Sequence, residues 1–350
     1  MSPRRSRTAV QPGRALYGTT FVSPGIEVHG EVLVGEDHTF VAANTRFSAD
    51  QGQRVEIGDR SNAQDNAGVS ASAGPSTVGD ETSLAHHAVV EDSEIGNGVF
   101  LGFLARISNS TLSDGATILH GARVEGVSIP ENALVDVGEV VTTQDQADRL
   151  PKTDRGTEEF KRGVLDVNAE FAEGYVEIYE NDGEGALTGI GPNPATGSVP
   201  DQVTPQVGDA ELGDSVRVVG DVRLGAGARI GARSAIRADE GTPIEIGSGA
   251  RIGERVTFHA LQHSSLTIGD DFSAGDDSVV HGPLEVGDGV TVGNDSVVFG
   301  AVVGDRVEVG DGAVIAGPPG DELTLEIPAG TVIPGGAVVT APEDLPAGSG

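Results

Sequence analysis

Along most of the chain an aliphatic residue is followed by glycine and then by aspartate or asparagine, and this group returns about every six residues. Residues 207–231 read VGDAELGDSVRVVGDVRLGAGARIG, and IGERVTFHA, IGDDFSAGD, VGDGVTVGNDSVVFG and VGDRVEVGDGAVIAG follow. The first half keeps the same beat in VLVGED, VEIGDRSN, STVGDET and SEIGNGVF. A six-residue beat fits neither a helix of period 3.6 nor a plain alternating strand. It fits a triangular β-solenoid. Each side is a short strand, the aliphatic residue points inward near a corner, and Gly, Asn and Asp supply the turn conformations that other residues resist. Three hexads make a coil of about 18 residues, and stability accumulates from coil to coil.

The beat stops once, and the stop divides the chain. Residues 1–17 read as a disordered N-terminal tail, and 18–140 as the first coil stack. Residues 143–176 lose the hexad and carry an apolar stripe of Phe160, Val164, Leu165, Val167, Phe171 and Ala172, which predicts helices packed along the coil, with a break at Leu150–Pro151. The first domain is therefore 18–176. Residues 177–206, rich in Gly, Pro, Asn, Asp and Glu, read as a linker or mobile loop. The second coil stack is 207–340 and has no room for a matching helix. Residues 341–350 are a tail.

Composition changes this picture only in part. Of 350 residues, 52 are glycine, which the corners explain, and aromatics are 4%. The net charge of -32, from 54 acidic and 22 basic residues, is spread over the whole chain. It argues against nucleic-acid and anionic-membrane partners and for a salty, cytoplasmic, halophilic habitat. No apolar run is long enough for a membrane span. The chain has no cysteine, so thiolate ligands and disulfides are excluded.

The segments IGDRSNAQDNAGVSAS and TSLAHHAVV, with SAIRADEGTPIEIG, VTFHAL and VVHGPLEVG in the second half, resemble the gamma-class carbonic anhydrases. The resemblance covers about 30–176 and again 207–340. It implies an all-β solenoid: tandem left-handed parallel β-helices, with a helical segment after the first. It also implies a lyase that hydrates CO2 to bicarbonate, assembled as an oligomer through β-helix faces. The cofactor implied is Zn2+, or Fe2+, on three histidines.

The ligands implied by the resemblance are His86, His259 and His281. The first copy has Ser70 and Glu91 where the second has His259 and His281, and the second has Asp276 where the first has His86. Neither copy holds a full set, and the two sets are complementary, which suggests a site shared between unlike domains. Spacing adds a geometric expectation. Gln64 to His86 spans the same interval as His259 to His281, which stacks each pair on one face after a coil with a corner insertion.

The resemblance lends further residues to the site. Asn62 and Gln64 orient the hydroxide and the developing bicarbonate. Glu240 handles a proton or a water. Arg46 and Arg237, with Asp65 and Asp239, are expected to pair across the interface in support of the ligands, and Asn168 matches the family asparagine near the helix. Gln262 stands where a proton-shuttle glutamate is expected. His87 and His263 read as non-ligands, and His29, His38 and His120 as surface or turn residues. Two other classes remain open: a non-catalytic assembly protein built on the same coil, and a hexapeptide acyltransferase.

Overall fold

The computed structural model describes residues 7–318 and 323–347. The chain divides into two compact units, Met1–Leu187 and Thr188–Gly350.

The first unit is a β-solenoid whose three sides are sheets of seven, seven and eight short strands. Apart from two antiparallel pairs near the start, every ladder in this unit is parallel and joins one coil to the next. Coils repeat at 17 residues in the later, regular part and at 19, 21 or 22 in the earlier part, where corners bulge. The inward column is the aliphatic residue of each hexad, as in Ala63, Leu84, Leu101 and Ile118. In the second unit, seven strands form one side. The long strands Val279–Val286 and Val297–Val303 run across a corner and fuse the other two sides into a single sheet. Its core is again Val, Ile and Ala, with few aromatics.

The hexad has a more specific cause than turn propensity. The glycine after the aliphatic residue is not there for a positive φ. A Cβ on Gly58 would lie 2.1 Å from the carbonyl oxygen of Gly79, and one on Gly79 would lie 2.4 Å from that of Gly96. Stacked backbones leave no room for a side chain. The left-handed corner falls instead on residues such as Arg60 (φ 53°) and Glu81 (φ 54°). The Asp or Asn that follows the glycine accepts the amide of its equivalent one coil earlier: Asp59 N to Asp80 Oδ1, Asp80 N to Asn97 Oδ1, Asn97 N to Asp114 Oδ1. Asp270, Asp288 and Asp305 repeat this in the second unit. Gly58→Ala is accordingly expected to destabilise the first unit by about 2–4 kcal/mol, because packed backbone must move. Urea unfolding at high salt reads this directly, and a midpoint equal to wild type would refute the close-approach account.

After the coil, Thr143 caps the short helix α1 (Gln144–Ala147), and Asp154 caps α2 (Arg155–Asp182). Phe171, Tyr175 and Ile178 of α2 pack on Phe21 and Phe40 of the coil. The helix therefore runs six residues past the expected domain end at 176.

The expected disordered tail is corrected over residues 7–17. Arg7–Ala9 adds an antiparallel strand against Val32–Gly35, and the Arg7 guanidinium meets Glu56 and Asp80, so the basic arm is held by the acidic coil. Residues 1–6 and 348–350 lie outside the described residues. The expected linker is also corrected. Residues 177–182 are helical, Glu184–Leu187 is a short 3-10 helix, and Ile190–Gly191 already pairs with Arg217–Gly220 of the second unit. Residues 193–203 form a loop tied at its neck. Asn193 Oδ1 accepts the Val203 amide, and Asn193 Nδ2 donates to the carbonyls of Pro194 and Asp201. No helix among the described residues is long and apolar enough to cross a membrane.

Candidate metal centre

In the second unit the strands Ala235–Ala238, Thr257–His259 and Val279–Val286 stack in register, so Arg237, His259 and His281 form one column. All three are buried. Corner bulges after Ala238 and after His259 add residues to these coils, and they bring Asp239, Glu240 and Gln262 beside the column.

The hydrogen-bond chemistry of the two imidazoles is tightly constrained. His281 Nδ1 lies 2.7 Å from the carbonyl oxygen of Gly282, an acceptor, so this nitrogen carries the proton and Nε2 is bare. His259 Nε2 faces Asp239 Oδ1 at 3.3 Å and Glu240 Oε1 at 3.4 Å. Two carboxylates call for a proton on Nε2 and leave Nδ1 bare. The bare nitrogens, His259 Nδ1 and His281 Nε2, are 3.2 Å apart. At that distance either a proton on one nitrogen makes a hydrogen bond between the rings, or a metal ion stands against both. Zn–N bonds of about 2.0–2.1 Å in a tetrahedron place ligand nitrogens about 3.3–3.4 Å apart, so the pair fits such an ion.

The carboxylates around the pair are held in place. Arg237 donates from Nε to Asp239 Oδ2 at 2.8 Å and pairs through Nη2 at 2.7 Å. Burial pushes the Asp239 carboxyl up, but Arg237 and His259 more than offset this and hold it well below the usual carboxylate range. Burial dominates at Glu240 and raises it. Its Oε2 accepts the Gln262 amide at 2.9 Å.

In the first unit, His86 is fully buried with Nδ1 3.5 Å from Asp65 Oδ2, so this imidazole also has a carboxylate behind it. Their pairing corrects the expected stacking of Gln64 on His86. Asn62 registers with Ser83 and Ala63 with Leu84, an offset of 21, so Asp65 is the residue opposite His86. Gln64 is opposite Ala85. The inference from spacing failed because this coil is one residue shorter than the corresponding coil of the second unit.

The same registers reassign an arginine. Ser48, Ser70 and Glu91 form the column equivalent to Arg237, His259 and His281. Ser48 therefore holds Arg237's place. Arg46 stands two residues earlier, exposed and paired with Glu27 at 2.8 Å. Counting from Ser48, Asp50 and Gln51 match Asp239 and Glu240 with no insertion.

Asn62 is buried and donates from Nδ2 to Ser83 Oγ at 2.6 Å. It stands on the strand face shared with Phe40 and Phe100, which α2 covers. Asn168, buried on α2, donates to the carbonyl of Val164. Asp276 accepts the Glu254 amide as one more corner residue.

Among the other histidines, His120 departs from expectation. It is buried, its ring stacks on Phe103 at 4.3 Å, and Nδ1 accepts the Phe103 amide at 3.0 Å. Burial lowers it to about 4. Nothing in the local text marks this residue beyond its place one coil after Phe103. His87 is buried at a corner with φ 61°, and His263 is exposed in a loop.

No protein-family model matches the chain. Over 199 residues, 50% of this chain and 78% of the relative, it is 29% identical to a carbonic anhydrase of Methanosarcina thermophila. Over 173 residues, 46% of this chain, it is 27% identical to the carboxysome assembly protein CcmM of Nostoc sp., and it spans only 31% of that protein's length. A hexapeptide transferase family protein from Anaplasma phagocytophilum is similar at 17% identity over 44% of this chain and 91% of that one, with a TM-score of 0.35.

Proposed function

We propose, from the premise that this chain belongs to the gamma-class carbonic anhydrase family of hexapeptide-repeat proteins, that it interconverts CO2 and bicarbonate at a metal held by His86, His259 and His281. The single observation that carries the reading is the pair of imidazole nitrogens that face each other at 3.2 Å in the second unit. Each of these two imidazoles has its other nitrogen turned to an acceptor. Such outer partners fix tautomer and ring orientation in metal sites. The first unit supplies the third imidazole, also backed by a carboxylate, and lacks the other two. The partner of each set is the unlike unit, in the same chain or in a second copy, which makes the oligomer part of the proposal.

The donor set of neutral imidazoles suits zinc, and iron is the second candidate. A bound Zn2+ would supply a Lewis acid that makes water nucleophilic near neutral pH. The chain's own residues do the rest. Asp239 and the Gly282 carbonyl orient His259 and His281, Asp65 orients His86, and Arg237 fixes Asp239. Glu240, facing His259, holds a water for proton transfer. Gln64 is the polar group that the first unit offers to bicarbonate, since Asn62 is buried under α2 and bonded to Ser83.

The test is metal content. The native protein, purified in high salt, is expected to carry about one metal per chain. His86→Ala is expected to lose most of it, while His29→Ala, an exposed position, keeps it. Retention of full metal by His86→Ala would refute the shared donor set.

The similarity to CcmM favours a second reading, a structural protein that keeps the coil for assembly. No metal after anaerobic reconstitution with zinc or iron would select it. The acidic surface suits a salt-rich cytoplasm in either case.

A further inference from the structure

Within the second unit the loop 193–203 closes over the corner bulge that carries Glu240. Together they bound a cavity of about 350 Å³ lined by, among others, Ser198, Val199, Glu240, Gly241 and Gln262. One residue touches both walls. The Gln262 amide donates to Glu240 Oε2 at 2.9 Å, and its side-chain Nε2 donates to the Ser198 carbonyl at 3.2 Å. Beside that bond, Val199 lies against Gly241, where an added Cβ would come within 3.2 Å of the valine methyls. The neck bonds at Asn193, and the Val199 amide to Thr196 Oγ1 at 3.0 Å, preform the loop.

We propose that Gln262 is a positioning residue that clamps the 193–203 loop over Glu240 and thereby fixes this carboxylate against His259. Glutamate at this position has no N–H to donate to the Ser198 carbonyl, so the amide is a requirement of the clamp. The consequence for chemistry rests on the hydratase reading above. The clamp itself does not, since every contact in it lies in one unit.

Three substitutions separate the effects. Gln262→Ala removes the side-chain donor and keeps the backbone amide. Gln262→Glu keeps the size and loses the donor. Gln262→Lys restores an N–H donor on a chain of similar reach. In the full-length chain, amide hydrogen exchange over 194–201 is expected to rise about five- to tenfold in the alanine and glutamate variants and to return toward wild type with lysine. Where wild type hydrates CO2, kcat falls severalfold in Gln262→Ala with KM little changed, and lysine recovers it; Gln262→Glu is read by exchange alone, because a glutamate here also supplies the shuttle group that the resemblance expects. Unchanged exchange in Gln262→Ala overturns the clamp, and so does failure of lysine to restore protection. Loosened exchange with unchanged kcat in an active enzyme overturns the positioning role. A wild type that neither binds metal nor hydrates CO2, yet shows the exchange pattern, sinks the hydratase reading and leaves the clamp standing.

Discussion

On the proposed hydratase reading, His281→Ala is expected to abolish CO2 hydration and to lower metal affinity by more than the roughly 10–100-fold that loss of an outer partner costs. The reason is local. His281 Nε2 is the one bare nitrogen opposite His259 Nδ1, and no neighbouring side chain on its column can replace it, since Phe299 follows one coil later. Asp239→Asn gives the contrast. It keeps both ligands but removes the carboxylate that orients His259, so affinity falls within the 10–100-fold range. It also removes the carboxylate charge that Arg237 pairs with, so the variant is expected to unfold at lower urea than wild type. Isothermal titration with zinc, run beside urea unfolding, separates the two. If His281→Ala bound zinc like wild type, the donor set would be wrong.

The second large effect is expected from His120. Its imidazole titrates near 6.5 when the chain is unfolded and near 4 in the fold, where burial opposes the charged form and the Phe103 amide occupies Nδ1. The folded value is depressed for a base, so the unfolded state takes the proton first as pH falls. Stability is then intact above about pH 6.5 and is lost progressively down to about pH 4, below which this group adds nothing further. The loss amounts to about 3 kcal/mol. His120→Asn, which can still accept the Phe103 amide, lacks that titration. The wild type is therefore expected to lose about 3 kcal/mol more than the variant between pH 7 and pH 4 in urea unfolding at fixed salt. Parallel curves for the two proteins would show that His120 does not carry the acid sensitivity.

Much of this protein is written locally. The repeated aliphatic–Gly–Asp group determines the solenoid by itself, because each of its members answers one demand of stacking. The aliphatic residue fills a narrow interior, the glycine admits the next backbone, as Gly58 does for Gly79, and the Asp or Asn satisfies the amide one coil earlier. The helical segment was legible from its stripe. The stacking of His259 on His281 was legible, since their 22-residue spacing is one coil of their stack.

What only the tertiary structure decided depends on coil length and on burial, neither of which a repeat count carries. A coil of 21 residues in place of 22 set Asp65, not Gln64, opposite His86. Register placed Ser48, not Arg46, where the second unit has Arg237. The 193–203 segment has the composition of a linker, yet its neck bonds at Asn193 and its contact with Gln262 make it a fixed wall beside Glu240. His120 shows nothing unusual in the text of the chain, and it became a buried base because a phenylalanine lies one coil below it. Local rules choose the coil. The neighbours that a side chain meets across the stack are chosen by how many residues each coil contains, and that sum is settled only when all the corners have folded.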